Sequence, residues 1–205
     1  MLITELNKKA LDVLNNTFGY SSYRYEQEKI INSVLSGCPT LAIMPSGAGN
    51  SLCYQIPAII SSKKTVVISP LISLMDDQVS ALKECGIQAA KIHSDMTYDE
   101  RSSSWNNFKN GKEKIIYLSP EKIMSEDFLN QLKNLDVGLF VIDEIHCVSK
   151  WGHNFRPDYN ELSQLKSLFP NSNIIGFTAT ADQTTRLDIL EKIFNKKVNV
   201  FISSL

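Results

Sequence analysis

The stretch MPSGAGNSLCYQ, from Met44 to Gln55, decides the fold because it has the composition of a phosphate-binding loop. Small residues let backbone N–H groups turn toward an anion, and Ser51 offers a hydroxyl to Mg²⁺. The apolar run Thr40–Met44 predicts a strand before the loop, and Ser51–Ile60 predicts a helix after it, with Ser51 as the N-cap. A strand, a glycine turn and a helix N-terminus together form an anion site.

This loop departs from the G-x-x-x-x-G-K-[ST] pattern at two positions. The first glycine of the pattern would fall at Met44, and Asn50 stands where the pattern has lysine. An ordinary glycine and serine turn between two elements therefore remains an open alternative for this stretch taken alone. The candidate phosphate-binding residues are Ser46, Gly47, Ala48, Gly49, Asn50 and Ser51.

The chain has 205 residues and a formal net charge of −1. Its length suits one sizeable α/β core and no stretch has the composition of a linker, so we predict a single domain over residues 1–205. Because there is no overall basic field, any nucleic-acid contact must come from a local patch. No apolar run is long enough to span a bilayer, which predicts no membrane partner and a cytoplasmic or nuclear location.

The four cysteines lie far apart in the chain, without the spacing of a zinc site or a C-x-x-C pair. We therefore expect reduced, buried thiols at Cys38, Cys53, Cys85 and Cys147.

Short β-branched runs alternate with helix-length segments, after two N-terminal helical patterns at about Thr4–Asn16 and Tyr25–Leu35. Apolar strands separated by helices predict an α/β fold in which a parallel sheet carries helices on both faces. Ligands of such sheets bind at the carboxyl ends of the strands. The predicted strands are Thr40–Met44, Thr65–Ser69, Ala89–His93, Lys114–Ser119, Gly138–Asp143, Asn173–Thr178 and Val198–Ile202.

The segment LFVIDEIH, from Leu139 to His146, is an apolar strand that ends in two acids. With the expected topology, these acids lie beside the phosphate loop. Asp143 would then hold Mg²⁺, and Glu144 would orient the attacking water. Acidic pairs after a strand also serve as helix N-caps, and this segment alone leaves both interpretations open.

Upstream of the loop, FGYSSYRYEQ (Phe18 to Gln27) combines aromatic residues, an arginine and a glutamine. The Gln27 amide has the paired donor and acceptor that match an adenine edge, and Tyr20 or Arg24 could stack on the face of the base. A capped helix with aromatic core anchors is the alternative.

The segment HCVSKWGHNFRPDY, from His146 to Tyr159, is too polar and broken for a regular core element. Aromatic residues beside arginine stack bases and hold the phosphates of single-stranded nucleic acid. A loop that is fixed by a buried tryptophan is the alternative. The candidates for nucleic-acid contact here are Trp151, His153, Phe155 and Arg156.

Together, these motifs resemble the RecQ family of superfamily 2 DNA helicases over essentially the whole chain. The resemblance implies a P-loop NTPase fold and the first of two RecA-like lobes. The segments that carry it are FGYSSYRYEQ as the adenine-reading motif, MPSGAGNSLCYQ as motif I, SPLISLMDDQV (Ser69 to Val79) as motif Ia, YLSPEK (Tyr117 to Lys122), DEIH as motif II, the aromatic-rich loop around Trp151, and FTATA (Phe177 to Ala181) as motif III.

The resemblance also implies ATP and Mg²⁺ as cofactors and single-stranded or 3′-tailed DNA as a partner. The adenine-reading motif, within N-terminal helices at 1–37, would contact the base. Ser51 and Asp143 would bind Mg²⁺, and Glu144 would act in hydrolysis. The residues that would couple DNA and nucleotide state are Trp151, His153, Phe155, Arg156, Thr178 and Thr180.

Members of that family carry lysine where this chain has Asn50, so we expect weak ATP binding and severely reduced hydrolysis. Both an engineered replacement and natural drift of the site remain open as the origin of Asn50. The second lobe, which supplies an arginine finger, would be missing, so the fragment would not unwind DNA alone. An ATPase acting on RNA and a non-catalytic nucleic-acid or nucleotide-binding module remain as alternative interpretations.

Overall fold

The computed structural model describes residues 3–151, 154–194 and 197–203. In this part of the chain, seven parallel strands form one sheet in the order β3-β4-β2-β5-β6-β1-β7. The seven predicted strands are confirmed, with ends that differ by at most one residue. Their bounds are β1 Thr40–Ile43, β2 Lys64–Ile68, β3 Ala89–Ile92, β4 Ile115–Leu118, β5 Val137–Ile142, β6 Asn173–Thr178 and β7 Asn199–Ile202.

Helices connect the strands, and the second one begins later than its sequence pattern predicts. Tyr25 has a φ of 49°, a left-handed conformation that a helix cannot include, and so the helix begins at Gln27. The helices are α1 Ile3–Asn16, α2 Gln27–Leu35, α3 Leu52–Ile60, α4 Ile72–Glu84, α5 Tyr98–Lys109, α6 Pro120–Ile123, α7 Glu126–Leu132, α8 Pro157–Asn160, α9 Leu165–Leu168 and α10 Gln183–Ile189.

The inner strands of the sheet are buried on both faces, as their apolar residues require, whereas the edge strand β7 is largely exposed. In β2, Val66 and Ile68 enter the core with α5, α6, α7 and α10, whereas Val67 enters the core with α2, α3 and α4. Each fully buried side chain of this size stabilises the fold by about 1.5–3 kcal/mol. A third cluster, which includes Leu14 and Ile56, fixes α1 against α3. The predicted α/β sheet with helices on both faces is therefore confirmed.

The cysteine prediction is wrong in part. All four thiols are free, but only Cys53 and Cys147 are buried. Cys38 lies in the turn after α2 and Cys85 ends α4, and at these element ends solvent reaches the side chains. Among the described residues, none of the helices combines the length and the apolar character needed to cross a bilayer.

Three neighbouring strands position the candidate site. The order β5-β6-β1 places the end of β6 between the loop that follows β1 and the acids that follow β5. Backbone bonds continue past the strand ends, since Met44 donates to the carbonyl oxygen of Thr178 in β6 at 3.0 Å and Asp143 donates to that of Ile68, at the end of the neighbouring β2, at 2.9 Å. The carboxyl edge of the sheet thus brings the distant motifs together.

Candidate functional site

The loop between β1 and α3 owes its shape to two glycines. Gly47 and Gly49 have φ values of 81° and 80°, a left-handed conformation that costs other L-residues about 1–2 kcal/mol. Between them, the buried Ala48 donates its N–H to the carbonyl oxygen of Pro45 at 3.1 Å. The loop therefore has the glycine-dependent backbone of an anion cradle, although Asn50 replaces its expected cation.

Ser51 lies at the start of α3, but the expectation that its side chain caps this helix is wrong. Its φ and ψ of −60° and −37° are already helical, and its side chain makes no cap hydrogen bond. A capping residue instead needs extended backbone geometry to direct its oxygen at the first free N–H groups. The hydroxyl is therefore not committed to the helix, and Ser51 lines the cavity described below.

Gln27 holds the loop from the outside through both ends of its amide. The side chain is 3% exposed, and its Nε2 donates to the carbonyl oxygens of Ala48 at 3.2 Å and Gly49 at 3.1 Å. Its Oε1 accepts from the backbone N–H of Arg24 at 2.9 Å. Because both donor hydrogens are used, Gln27 can donate to a base only by releasing one of the loop carbonyls.

The other two residues of the predicted adenine-reading motif lie in the turn before α2. Tyr20 is exposed, and the guanidinium of Arg24 lies 5.9 Å from the centroid of its ring. The structure thus brings Tyr20 and Arg24 together as a cation–π pair, with Gln27 joining this turn to the phosphate loop.

The two acids after β5 have different environments. The partly buried Asp143 carboxylate accepts from the N–H of Glu144 at 3.0 Å and, weakly, from the hydroxyl of Ser69 at 3.4 Å. Burial, with the adjacent charge of Glu144, raises the pKa of Asp143 to about 6. The hydroxyl of Tyr159 donates to the Asp143 carbonyl oxygen at 2.8 Å and fixes the backbone.

Glu144 has a φ of 49° and introduces the 3₁₀ turn Ile145–Val148 without a side-chain cap bond. Such strain costs about 1–3 kcal/mol and is maintained only by its surroundings. The carboxylate lies 3.1 Å from Nδ1 of His146 instead. Glu144 therefore does not cap this turn, and its side chain is directed by His146.

His146 connects the acids to the end of β6. Its Nδ1 lies 2.9 Å from the hydroxyl of Thr178, and that hydroxyl also bonds the backbone of Thr180. The Cys147 thiol, together with Glu144, raises the pKa of His146 to about 10. Thr178 and Thr180 thus share one hydrogen-bond chain with Glu144.

A cavity of about 320 Å³ unites the loop and the acids. Asn50 and Ser51 line it from one side, and Asp143 and Glu144 from another. Among the described residues, no lysine or arginine contributes to its wall. The remaining lining residues are Ser46, Gly47, Gly49, Tyr54, Val67, Ser69, Leu74, Met75, Gln78, Tyr117 and Phe177.

Sequence analysis missed a buried polar network at the back of this cavity. The hydroxyls of Tyr54 and Tyr117 lie 3.1 Å apart, and Nε2 of Gln55 donates to Gln78 at 2.9 Å and to Tyr117 at 3.3 Å. Burial raises the pKa of Tyr117 to about 12, and that of Tyr54 is also raised. The network joins α3, α4 and β4. The only signal for it in the sequence is that tyrosine and glutamine, which carry polar atoms, occur within otherwise apolar stretches.

The aromatic-rich loop exposes its tryptophan. Trp151 is 73% exposed, so the alternative of a loop fixed by a buried tryptophan is wrong. Arg156 forms ion pairs with Glu121 at 2.7 Å and Asp158 at 3.1 Å. Its guanidinium is therefore already occupied, which sequence analysis missed. The candidate His153 lies outside the described residues.

A second cavity links this loop to the acids. Phe155 and Arg156 line it together with Glu144 and His146. Arg156 also donates to the carbonyl oxygen of Pro70, in the loop between β2 and α4, at 3.2 Å. Glu144 thus lines both cavities and is the residue that the two sites share.

Comparisons with known proteins agree with this architecture. The DEAD/DEAH box helicase family model matches residues 24–188. The ATP-dependent DNA helicase RecQ of Pasteurella multocida is 47% identical over 199 residues, which cover 97% of this chain and 32% of that protein. The RecQ of Bacillus subtilis is 42% identical over 193 residues, covering 93% of this chain and 33% of that protein. The chain therefore spans about a third of the length of these relatives.

Solved structures share the fold at low sequence identity. The helicase MrfA bound to DNA has a TM-score of 0.74 at 18% identity, covering 96% of this chain and 29% of that chain. A hypothetical ATP-dependent RNA helicase from Sulfolobus tokodaii has a TM-score of 0.69 at 19% identity, covering 96% and 57%. The expected resemblance to RecQ helicases is confirmed, and the chain belongs to the DEAD/DEAH box helicase family.

Proposed function

We propose that this chain is the ATP-binding lobe of a RecQ-type 3′-to-5′ DNA helicase, a single RecA-like domain over residues 1–205 in which the helices at 1–37 carry the adenine-reading motif. The observation that supports this proposal is the single cavity lined by the phosphate loop and by both acids. Its relatives of 42–47% identity are named ATP-dependent DNA helicases. A DNA substrate would place the parent protein in a bacterial nucleoid or a nucleus.

The residues of the cavity fit Mg²⁺ with ATP in part. Ser51 offers a hydroxyl that makes no cap bond, and Asp143 offers a carboxylate, which are the oxygen ligands that Mg²⁺ takes beside nucleotide phosphates. Bound Mg²⁺ would neutralise charge on the transferred phosphoryl group. Glu144, held by His146, would orient the attacking water, and Gln27 would meet the adenine edge by releasing one of the loop carbonyls that it now bonds.

The proposed activity is impaired at Asn50. A lysine ammonium makes charge-assisted bonds to phosphate that are about twice as strong as neutral ones, and it stabilises charge that develops at the transition state. The amide of Asn50 supplies no positive charge, and no described lysine or arginine lines the cavity to replace it. Weak nucleotide binding and very slow hydrolysis follow.

Unwinding would also need the remainder of the parent protein. We propose that a second RecA-like lobe closes on this cavity and supplies a cationic side chain to the nucleotide. Single-stranded or 3′-tailed DNA would bind beside Trp151 and Phe155, at the cavity that shares Glu144 with the nucleotide site.

A fluorescent ATP analogue titrated with Mg²⁺ into this chain and its Asn50→Lys variant tests the proposal. The lysine should tighten binding about tenfold or more, a difference of about 1.4 kcal/mol or more. Asn50→Gln, which lengthens the side chain without charge, is the matched control and should bind as the parent does. If Asn50→Lys is folded and does not bind the analogue, the proposed nucleotide site is wrong.

A non-catalytic nucleic-acid or nucleotide-binding module is the second candidate, and the absence of a cationic side chain around the described cavity favours it. Hydrolysis by the parent protein decides between the two candidates. DNA-stimulated hydrolysis above the rate of a Glu144→Gln control supports the helicase, whereas single-strand binding without any turnover supports the module.

A further inference from the structure

The wall of the nucleotide cavity carries the charge of a cation site rather than that of an anion site. Asp143 and Glu144 both line it, and no described lysine or arginine does. A nucleotide would add the negative charge of its phosphates to this wall. One Mg²⁺, with His146 beside Glu144, offsets only part of that total, so a further cation beside the nucleotide would reduce the remaining repulsion.

Asn50 presents an acceptor that lacks a partner. Its Oδ1 is fully buried and has no hydrogen-bond partner among the described residues, although Asn50 lines the cavity. An unsatisfied buried acceptor costs about 1–3 kcal/mol, so such atoms in native proteins usually have a specific reason. A cation or a hydrogen-bond donor beside this oxygen would satisfy it.

The cavity wall also carries carboxylate and hydroxyl oxygens. Asp143 Oδ2 has only the weak bond from Ser69 at 3.4 Å, and the hydroxyls of Tyr54 and Tyr117 lie within the influence of the Asp143 charge. Carboxylate, amide and hydroxyl oxygens are ligands for hard cations and acceptors for an ammonium. Partial burial of an ionised carboxylate is costly, and His146, whose charge acts on Asp143, lies 3.1 Å from Glu144, so a further cation beside Asp143 would still be favourable.

We propose that the cavity between Asn50 and Asp143 binds a small monovalent cation, which takes the place of the missing lysine ammonium and enters with the nucleotide. This inference rests on the proposed function and names a further ligand of the same site. A small ammonium and K⁺ share the required charge and size.

The test is the affinity of a fluorescent ATP analogue with Mg²⁺, measured at constant ionic strength in chloride salts of K⁺, ammonium, methylammonium and tetramethylammonium. Tetramethylammonium has the same charge but is larger and has no N–H donor. We expect the parent chain to bind the ATP analogue at least about fivefold more tightly in the salts of the small cations than in the tetramethylammonium salt. Equal tightening by K⁺ and ammonium identifies charge and size as the requirement, whereas tightening by the ammonium salts alone identifies hydrogen-bond donation, and both support the proposal.

Two variants keep the result specific to Asn50. Asn50→Lys supplies its own ammonium and should bind with less than about a twofold difference between the salts, and Asn50→Leu, of similar size, should lose the cation dependence without gaining affinity. Cation dependence that survives in Asn50→Leu, or equal binding of the parent in every salt, would overturn the inference. In both cases tight binding by Asn50→Lys would still support the proposed function. Failure of folded parent and Asn50→Lys to bind in any salt would overturn both.

Discussion

The phosphate loop and the acidic end of β5 line the same cavity, but one keeps its backbone shape without a positive charge and the other keeps its negative charges. The loop retains its shape, with two left-handed glycines and the Gln27 bonds, but it has no cation. The acidic end retains its charges on a strained backbone, with Glu144 left-handed beside the partly buried Asp143.

This difference indicates that the shape of the proposed phosphate cradle and its charge are encoded by separate residues. Glycine conformations and an amide from another helix hold the loop, and neither contact involves position 50. A replacement there removes electrostatic attraction without dismantling the backbone. The following variants test whether each side is held as the structure indicates.

Gly49→Ala should have the largest effect on stability, because it disturbs the backbone conformation of the loop. A Cβ atom at this position would lie 2.4 Å from Gln27 Nε2, in a backbone with a φ of 80°. Loss of two hydrogen bonds and left-handed strain together should reduce the free energy of unfolding by about 3–4 kcal/mol. Urea unfolding measures the change.

Gly47→Ala is the matched control, since it has the same sign of φ and no atom within 4 Å of its added Cβ. It should cost only the strain of about 1–2 kcal/mol. Equal losses in the two variants would show that Gln27 does not hold the loop.

Asp143→Asn sharpens the acidic side of the comparison. The unfolded carboxyl ionises near its usual pKa of 3.8, whereas the folded one has a pKa of about 6. The stability that the neutral carboxyl provides is therefore lost as pH rises from about 4 to 6, and ionised Asp143 costs about 3 kcal/mol at pH 7.5. The amide variant should be more stable than the parent by about that amount at pH 7.5, and by less at pH 5.

Denaturant unfolding at both pH values checks this expectation, with the exposed Asp12→Asn as a control that should show little change. An advantage of Asp143→Asn that is the same at pH 5 and pH 7.5 would contradict the burial of an ionisable Asp143.

The sequence predicted the sheet well because each inner strand is an apolar run, as packing on two faces requires, and because the exposed edge strand β7 also consists mainly of β-branched and aromatic residues. Helix limits were less certain, since Tyr25 leaves the helical region for reasons that its own residue type does not announce. The sequence did not show the order of the strands in the sheet. The prediction that Asp143 lies beside the loop therefore depended on the general rule that ligands of parallel sheets bind at the carboxyl ends of the strands.

The contacts within the candidate site were harder to predict, because they join residues that are distant in the chain. The spacing of residues in the sequence could not show that both donor hydrogens of Gln27 bond to carbonyl oxygens of the phosphate loop, or that Arg156 forms an ion pair with Glu121. Nor could it show that Trp151 is exposed, since a tryptophan in a broken segment suits either a core anchor or a surface contact.

Tyr117→Phe tests the back of the cavity, where the two sides of the comparison meet. It removes the partner of the Tyr54 hydroxyl and one of the two acceptors of Gln55 Nε2, so it should cost about 1–2 kcal/mol. Tyr54→Phe should cost less, because the Tyr117 hydroxyl keeps its bond from Gln55. Thermal or urea unfolding shows which of the two variants loses more stability, and a larger loss of stability in Tyr54→Phe would contradict the network.

Trp151→Ala should have the smallest effect on stability, because a side chain that is 73% exposed gives up little buried surface. We expect a change below about 0.5 kcal/mol in unfolding. Its effect should appear instead in the affinity for a fluorescent single-stranded oligonucleotide, which should fall about fivefold or more because a stacked base contributes about 1–3 kcal/mol. Tyr98→Ala, which removes an aromatic ring that is 76% exposed on α5, is the control and should leave that affinity unchanged. If the two variants weaken binding equally, exposed aromatic area rather than the loop beside Glu144 governs the contact, and the proposed link between DNA and the acidic side of the cavity fails.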